Sequence, residues 1–153
     1  MIKNDVPVVI VKPKILIVDD EVRYRELYMN ILDSAGLQTL AVASAEEALA
    51  VICEQTPAMV VTDVRMPGAS GIELLRRARR EHPLLPFLLV TAYADVRDAV
   101  NAMKLGAVDY LSKPVDLDEL LSAVHDTVGI PARTPELAFP PEAMTGIVAE
   151  SPG

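Results

Sequence analysis

Residues 14–21 read Lys-Ile-Leu-Ile-Val-Asp-Asp-Glu, so a run of four apolar side chains ends directly at three acidic ones. The apolar side chains are consecutive instead of alternating, which is typical of a strand buried on both faces, as in a parallel sheet covered by helices. Four more short apolar runs follow, at 38–42, 59–62, 87–91 and 109–112. Their spacing is that of a strand followed by a helix.

The segments between the runs carry helical patterns. In the first, apolar residues recur at helical spacing from Tyr24 onward, and Gly36 ends the pattern. Ser44 and Asp116 each precede a glutamate by three positions, a capping box that opens the second and fifth helices. The third helix is expected at about residues 72–81. Five strands alternating with five helices predict a doubly wound α/β domain with a five-stranded parallel sheet, the flavodoxin-like (βα)5 architecture.

The fourth predicted helix begins at Asp95 and ends at Gly106. Its apolar residues recur at helical spacing, so we expect one face of the helix to point into the core. The residues on this expected inward face are Val96, Ala99, Val100 and Met103.

Composition limits the class of protein. The chain has 153 residues, 51% of them hydrophobic, and a formal net charge of −8. That acidity argues against nucleic acid as a partner of this chain, because no basic stripe exists to displace counterions from phosphates. No uninterrupted apolar run is long enough to cross a membrane. The single cysteine, Cys53, permits no intrachain disulfide, which fits the cytoplasm.

Three parts of the chain differ in character. We expect an N-terminal arm at 1–13, the α/β domain at 14–128, and a proline-containing linker at 129–153 that could begin a further domain. Five of the 12 prolines lie from Pro131 onward. Residues 6–11 could form a loose arm or an extra edge strand.

Chemically active side chains follow four of the five predicted strands. Asp19 and Asp20 come after the first, Asp63 after the third, and Lys113 after the fifth, while Thr91 ends the fourth. Because ligands of open parallel sheets bind at the carboxyl ends of the strands, we expect these five side chains to share one pocket.

The three carboxylates in such a pocket repel one another unless a cation intervenes, and Mg²⁺ suits oxygen ligands beside a phosphate. Lys113 is a point charge suited to an anion that comes and goes, and the Thr91 hydroxyl can donate a hydrogen bond to the same anion. A metal, an ammonium and a hydroxyl at one place are typical of phosphoryl transfer. A carboxylate can be the nucleophile, and Asp63, the unpaired acid, is the best candidate.

The ordered set Val-Asp-Asp-Glu at 18–21, Asp-Val-Arg-Met-Pro-Gly at 63–68, Thr-Ala at 91–92 and Lys-Pro at 113–114 resembles the receiver domain of two-component response regulators. The resemblance covers about residues 13–128. It implies that Asp63 is the phosphoacceptor, that Asp19, Asp20 and the backbone carbonyl of Arg65 complete the Mg²⁺ ligands, and that Thr91 and Lys113 bind the phosphoryl oxygens.

The resemblance implies further properties. The Lys113–Pro114 bond is expected to be cis, and Tyr110 matches a switch aromatic that turns inward with Thr91, although a buried core tyrosine fits equally well. The surface that changes on phosphorylation would be that of the fourth helix, fifth strand and fifth helix.

The resemblance also implies partners. These are a sensor histidine kinase, whose phosphohistidine is the phosphoryl donor, and a second copy of the chain in a phosphorylation-dependent dimer. Residues 146–152 resemble the start of the ATPase domain of nitrogen-regulator-type sigma-54 activators, which suggests a role in transcription regulation.

Two other classes of function stay open at this point. A hydrolase of the haloacid-dehalogenase type also uses an aspartyl phosphate and Mg²⁺, but it places the nucleophile after the first strand with a second acid two residues on. A binding module that is never phosphorylated would have no need of all five site residues. A dinucleotide-binding domain is disfavoured because the glycine-rich turn is absent. We therefore expect chemistry on Asp63 itself and no enzyme activity on a separate substrate.

Two features are interpreted as structural. The arginines at 76, 77, 79 and 80 are expected to form a solvated helix face in preference to a docking patch. His82 and His125 have no Cys or His partner nearby in the sequence, so a metal site there is not expected.

Overall fold

The computed structural model describes residues 13–129. Five strands alternate with five helices. The elements are β1 Lys14–Val18, α1 Val22–Ser34, β2 Gln38–Val42, α2 Ala45–Glu54, β3 Met59–Asp63, α3 Gly71–Glu81, β4 Phe87–Thr91, α4 Val96–Lys104, β5 Asp109–Ser112 and α5 Leu117–Val128. Within this range no helix is long and apolar enough to span a membrane. The predicted N-terminal arm and most of the predicted linker lie outside the described residues.

All five strands are parallel and lie in the order β2-β1-β3-β4-β5. The predicted doubly wound sheet is confirmed. The chain proceeds outward from β1 in one direction to β2 and then in the other direction from β3 to β5, so the strand order reverses between β1 and β3. That reversal places a crevice at the carboxyl ends of the two central strands.

The continuous apolar runs are explained by two cores, one on each face of the sheet. Leu16 and Val18 of β1 face the core covered by α2, α3 and α4. Ile15 and Ile17 face the core covered by α1 and α5. Because successive side chains of a strand point to opposite faces, a strand covered on both sides must be apolar at every position.

The helix starts agree with the sequence in position and differ in detail. The Oγ atom of Ser44 accepts a hydrogen bond from the backbone N–H of Glu47 at 3.2 Å, and the Glu47 side chain accepts one from the backbone N–H of Ala43 at 3.0 Å. Asp116 caps α5 through the N–H of Asp118 at 2.9 Å, so the predicted reciprocal bond with Glu119 is not the one formed.

The expectation for α4 is wrong. Val96, Val100 and Met103 are 81%, 45% and 49% exposed, and the buried residue of the helix is Ala102. The apolar pattern has helical spacing, but spacing alone does not say which face of a helix meets the sheet. Here α4 packs through the small side chain of Ala102, and most of the apolar stripe faces outward.

The arginines of α3 have two roles. Arg76 and Arg77 are half exposed and pair with Glu73 at 2.7 and 3.0 Å, as expected of a solvated face. The guanidinium of Arg79 instead donates to backbone carbonyls at the ends of α3 and α4. It reaches His82 O at the end of α3 at 3.1 Å and Leu105 O at the end of α4 at 2.8 Å. Arg79 therefore joins these two helix ends and is not part of a free surface patch.

Candidate functional site

The carboxyl edge of the sheet brings together the predicted site residues. Asp63 and Thr91 are the last residues of β3 and β4, while Asp19 and Lys113 directly follow β1 and β5. Asp63 pairs with Val90 in the β3–β4 register, so these strand ends are level with one another. The Lys113–Pro114 peptide bond is cis.

Three carboxylates form an acidic cluster in this crevice. Asp19, Asp20 and Asp63 each offer an oxygen, and these oxygens lie within 4.8 Å of one another. Asp19 is 1% exposed and Asp63 is 6% exposed, whereas Asp20 is exposed. Oxygens at this separation are suited to a hard divalent cation such as Mg²⁺, with the exposed side of the cluster left for water.

Lys113 pairs with both buried acids and offsets part of their charge. Its ammonium donates to Oδ2 of Asp19 at 2.8 Å and to Oδ2 of Asp63 at 3.1 Å. The Lys113 side chain is only 3% exposed. A buried ammonium between two buried carboxylates makes all three charges depend on one another, because each alone would be costly to bury.

Backbone groups fix the two buried carboxylates. The N–H of Val64 donates to Oδ1 of Asp63 at 2.7 Å, and the N–H of Glu21 donates to Oδ1 of Asp19 at 2.9 Å. The guanidinium of Arg25 donates to the backbone carbonyl of Asp19 at 2.7 Å. In both acids, Oδ2 is thereby directed to Lys113.

A close approach by α3 also shapes the site. A Cβ at Gly71 would lie 2.1 Å from the backbone carbonyl oxygen of Asp63, so no other residue fits there without movement. The N–H of Gly71 donates to the carbonyl of Val64 at 2.8 Å. In the sequence, Gly71 directly follows Ser70, the residue that caps α3, but this position carries no signal of a contact with Asp63.

The electrostatics of the site follow from burial and mutual charge. Burial raises the pKa of Asp63, Lys113 lowers it, and Asp19 raises it again, so the net direction is upward. Burial alone would lower the pKa of Lys113, but hydrogen bonding and charge from Asp19, followed by Asp63, raise it above its ordinary value. Lys113 therefore stays charged, as a group that binds an anion must.

Thr91 lies at the site, and its hydroxyl donates a hydrogen bond to none of the residues that the structure describes. Its Oγ1 atom accepts a hydrogen bond from the backbone N–H of Tyr93 at 3.1 Å, and it bonds to neither the acids nor Lys113. The backbone N–H of Lys113 donates to the Thr91 carbonyl at 2.8 Å. The Thr91 hydroxyl can therefore donate to a further acceptor without breaking its present bond.

Tyr110 packs on the core beside α4 and is half-buried. Its hydroxyl is buried without a hydrogen-bond partner among the described residues. Burial raises its pKa, and the charges of Asp98 and Asp95 add to that shift. The phenol therefore lies near the start of α4, the helix that follows β4 and its last residue, Thr91.

Tyr24 is a site neighbour that sequence reasoning missed. The Lys113 ammonium lies 3.8 Å from the centre of the Tyr24 ring. In the sequence, Tyr24 belongs to the apolar stripe of the first helix, and nothing in its context distinguishes it from a core residue.

Comparison with known proteins identifies the family. The response regulator receiver domain family matches residues 15–125. The DNA-binding transcriptional regulator NtrC of Salmonella typhimurium is 38% identical over 112 residues, which are 73% of this chain and 24% of that protein. The transcriptional regulatory protein FixJ of Bradyrhizobium diazoefficiens is 39% identical over 117 residues, which are 76% of this chain and 57% of that protein.

A solved structure agrees with these relatives. The CheY-like response regulator receiver domain protein of Methanospirillum hungatei has a TM-score of 0.75 and 30% identity, covering 77% of this chain and 94% of that one. Proteins of this family bind Mg²⁺ at an acidic pocket, and this chain has a cluster of three acids, Asp19, Asp20 and Asp63, at the carboxyl edge of its sheet. The chain spans about a quarter of the length of NtrC. It belongs to the receiver domain family of two-component response regulators, which interact with histidine kinases.

Proposed function

We propose that this chain is a phosphorylation-controlled switch in which Asp63 accepts a phosphoryl group from the phosphohistidine of a sensor histidine kinase. The observation that carries the proposal is the Lys113 ammonium, which bonds to Asp63 at 3.1 Å and to Asp19 at 2.8 Å beside a third carboxylate. This arrangement places a nucleophilic carboxylate next to a cation. Phosphoryl transfer depends mainly on such positioning and on charge stabilisation.

The reaction forms a bond between a carboxylate oxygen of Asp63 and phosphorus, while the bond from phosphorus to the histidine nitrogen breaks. Lys113 compensates the charge of the transferred group, and the free hydroxyl hydrogen of Thr91 donates to one of its oxygens. Asp19, Asp20, Asp63 and the backbone carbonyl of Arg65 would hold Mg²⁺, which supplies further charge compensation. Water later hydrolyses the acyl phosphate and regenerates Asp63.

The phosphoryl group gives Thr91 and Lys113 a contact that exists in one state only, and such a difference shifts a population. We propose that Tyr110 follows Thr91 and that the surface of α4, β5 and α5 changes. The exposed apolar residues Val96, Val100 and Met103 of α4 lie on this surface. We further propose that this change controls a homodimer and a transcription-regulating output domain in the cytoplasm.

The first test uses a small phosphodonor, acetyl phosphate, with and without Mg²⁺. Intact-mass measurement should show one added phosphoryl group per chain in Mg²⁺ and none in EDTA. Asp63→Ala should abolish the adduct, while Asp126→Ala, which removes an exposed acid of α5, should retain it. A stoichiometric adduct on Asp63→Ala would refute the proposal, and multiple turnover of a phosphomonoester would point to a hydrolase instead.

The second test concerns the dimer. Size-exclusion chromatography with light scattering is run with and without beryllium fluoride, a phosphoryl mimic, in the presence of Mg²⁺. We expect a change in oligomeric state. An unchanged molar mass would contradict the proposal that phosphorylation controls dimerisation of this chain. The assignment of Asp63 as the phosphoacceptor is decided separately, by the first test.

A further inference from the structure

Among the residues that the structure describes, the buried ammonium of Lys113 contacts two carboxylates and one uncharged aromatic ring. Besides Asp19 and Asp63, the centre of the Tyr24 ring lies 3.8 Å from the Lys113 nitrogen. A cation over an aromatic face is attracted by the ring quadrupole, and the attraction grows when water is excluded. The Lys113 side chain is 3% exposed, so this contact lies away from water.

The Tyr24 ring is held in place from two directions. The Tyr28 ring, one helical turn further on, packs against it with centroids 5.9 Å apart. Arg25, the next residue, fastens this turn of α1 to the carbonyl of Asp19 at 2.7 Å. Tyr24 is therefore a fixed surface against which Lys113 rests.

The three neighbours respond differently to a ligand. A divalent cation would bind the carboxylates of Asp19 and Asp63, which are the present partners of Lys113, and a phosphoryl group would bond to a carboxylate oxygen of Asp63. The Tyr24 ring is neutral and binds neither ligand. Of these three contacts of the ammonium, the one with the Tyr24 ring is thus the contact that persists when the charges around it are rearranged.

We propose that Tyr24 is a positioning residue, whose ring face holds the Lys113 ammonium beside Asp63 during phosphoryl transfer. This inference rests on the role of Lys113 in the proposed function. It predicts that the aromatic ring matters and that the phenol hydroxyl does not, because the attraction comes from the ring face.

The test compares the rate of phosphoryl incorporation from acetyl phosphate at saturating Mg²⁺ in the full chain. Tyr24→Phe should keep the rate of the unchanged protein. Tyr24→Leu, which keeps an apolar helix-forming side chain, should lower it about fivefold, corresponding to roughly 1 kcal/mol. Arg23→Ala is the control, since Arg23 also lies over this ring, at 4.8 Å, but is 74% exposed. Equal rates in Tyr24→Leu and Tyr24→Phe would overturn the inference.

A second readout does not depend on activity. Protons above an aromatic face are shielded, so the side-chain signals of Lys113 nearest the ammonium should be shifted upfield in the NMR spectrum. The shift should persist in Tyr24→Phe and vanish in Tyr24→Leu, whereas its absence from the unchanged protein would overturn the inference without any variant. If the unchanged protein takes up no phosphoryl group, the proposed function fails, and this spectrum still decides whether the ring holds Lys113.

Discussion

The ammonium nitrogen of Lys113 lies 3.1 Å from Oδ2 of Asp63, although the two residues are 50 positions apart in the chain. Asp63 ends β3 and Lys113 follows β5, so this bond spans the intervening strand β4 at the carboxyl edge of the sheet. It fixes the distance between a nucleophile and its cation before any ligand arrives. Such preorganisation is what lets a protein stabilise a developing charge without rearranging at the moment of reaction.

Removal of Lys113 should destabilise the fold when no metal is present. Lys113→Met leaves Asp19 and Asp63 buried with no counter-charge, and such an uncompensated pair typically costs about 3–5 kcal/mol. We expect urea denaturation in EDTA to show a loss of this size in the free energy of unfolding. Millimolar Mg²⁺ should restore much of it, because the metal replaces the missing cation.

Lys104→Met is the control for that experiment, since Lys104 is an exposed lysine in the last turn of α4. Its free energy of unfolding should change little in either buffer. Equal urea midpoints for Lys113→Met and the unchanged protein in EDTA would contradict the view that Lys113 offsets the buried charges of Asp19 and Asp63.

Gly71→Ala should impair the site through the backbone of Asp63. The added methyl group would lie 2.1 Å from the Asp63 carbonyl oxygen, so α3 or the end of β3 must move. We expect a loss of about 1–3 kcal/mol in stability together with slower phosphoryl incorporation. Gly106→Ala, at a φ of +87° and away from the site, should lose stability by strain alone and keep the rate. A normal rate in Gly71→Ala would show that the contact does not position Asp63.

Tyr28→Phe should stabilise the protein. The Tyr28 hydroxyl is buried with no hydrogen-bond partner among the described residues, and the residue is 1% exposed. Leaving such a group unsatisfied costs about 1–3 kcal/mol, so its removal should raise the free energy of unfolding by an amount near the lower end. A clear loss of stability would show that the hydroxyl has a partner, such as an internal water.

The same variant should alter the pH dependence of stability. Burial, followed by the charges of Asp19 and Asp63, raises the pKa of Tyr28 well above its ordinary value of 10.0. Above pH 10 the unfolded chain therefore loses this proton while the folded chain keeps it, and stability falls as pH rises. Urea titrations between pH 9 and 11, values set by that ordinary pKa, should show a shallower fall in Tyr28→Phe. An unchanged slope would contradict the assigned burial of the hydroxyl.

The outward face of α4 predicts contrasting effects at neighbouring positions. Val100→Gln, at a residue 45% exposed, should change the free energy of unfolding by no more than about 0.5 kcal/mol. Ala102→Leu adds volume at a residue that is 0% exposed and should destabilise by about 1–3 kcal/mol. If thermal denaturation showed that Val100→Gln destabilises the protein more than Ala102→Leu does, the inward face predicted from the sequence would be correct after all.

The sequence predicted the strands and the site for one physical reason. A parallel sheet covered on both faces needs continuous apolar strands, and its ligands bind where those strands end, so Asp19, Asp63 and Lys113 could be assigned to one pocket by position alone. The contacts that a side chain makes across the fold have no such periodic signature. The cation–π contact of Tyr24 and the close approach of Gly71 were missed for this reason.

The face of α4 was mispredicted for a related reason. Its apolar spacing is regular, but the helix contacts the sheet through Ala102, a side chain too small to dominate a hydrophobic pattern. Apolar residues on the outer face of a helix are typical of an interaction surface, and a single chain carries no record of the partner that covers it.

The account is tested most directly by locating the phosphoryl group. The chain is phosphorylated with acetyl phosphate and Mg²⁺, the acyl phosphate is reduced with borohydride, and the reduced residue, which becomes homoserine, is identified by peptide mass spectrometry. We predict that Asp63 alone is converted and that conversion requires Mg²⁺. Conversion of Asp19 or Asp20 in place of Asp63, or a stable adduct on His82 or His125, would contradict the account.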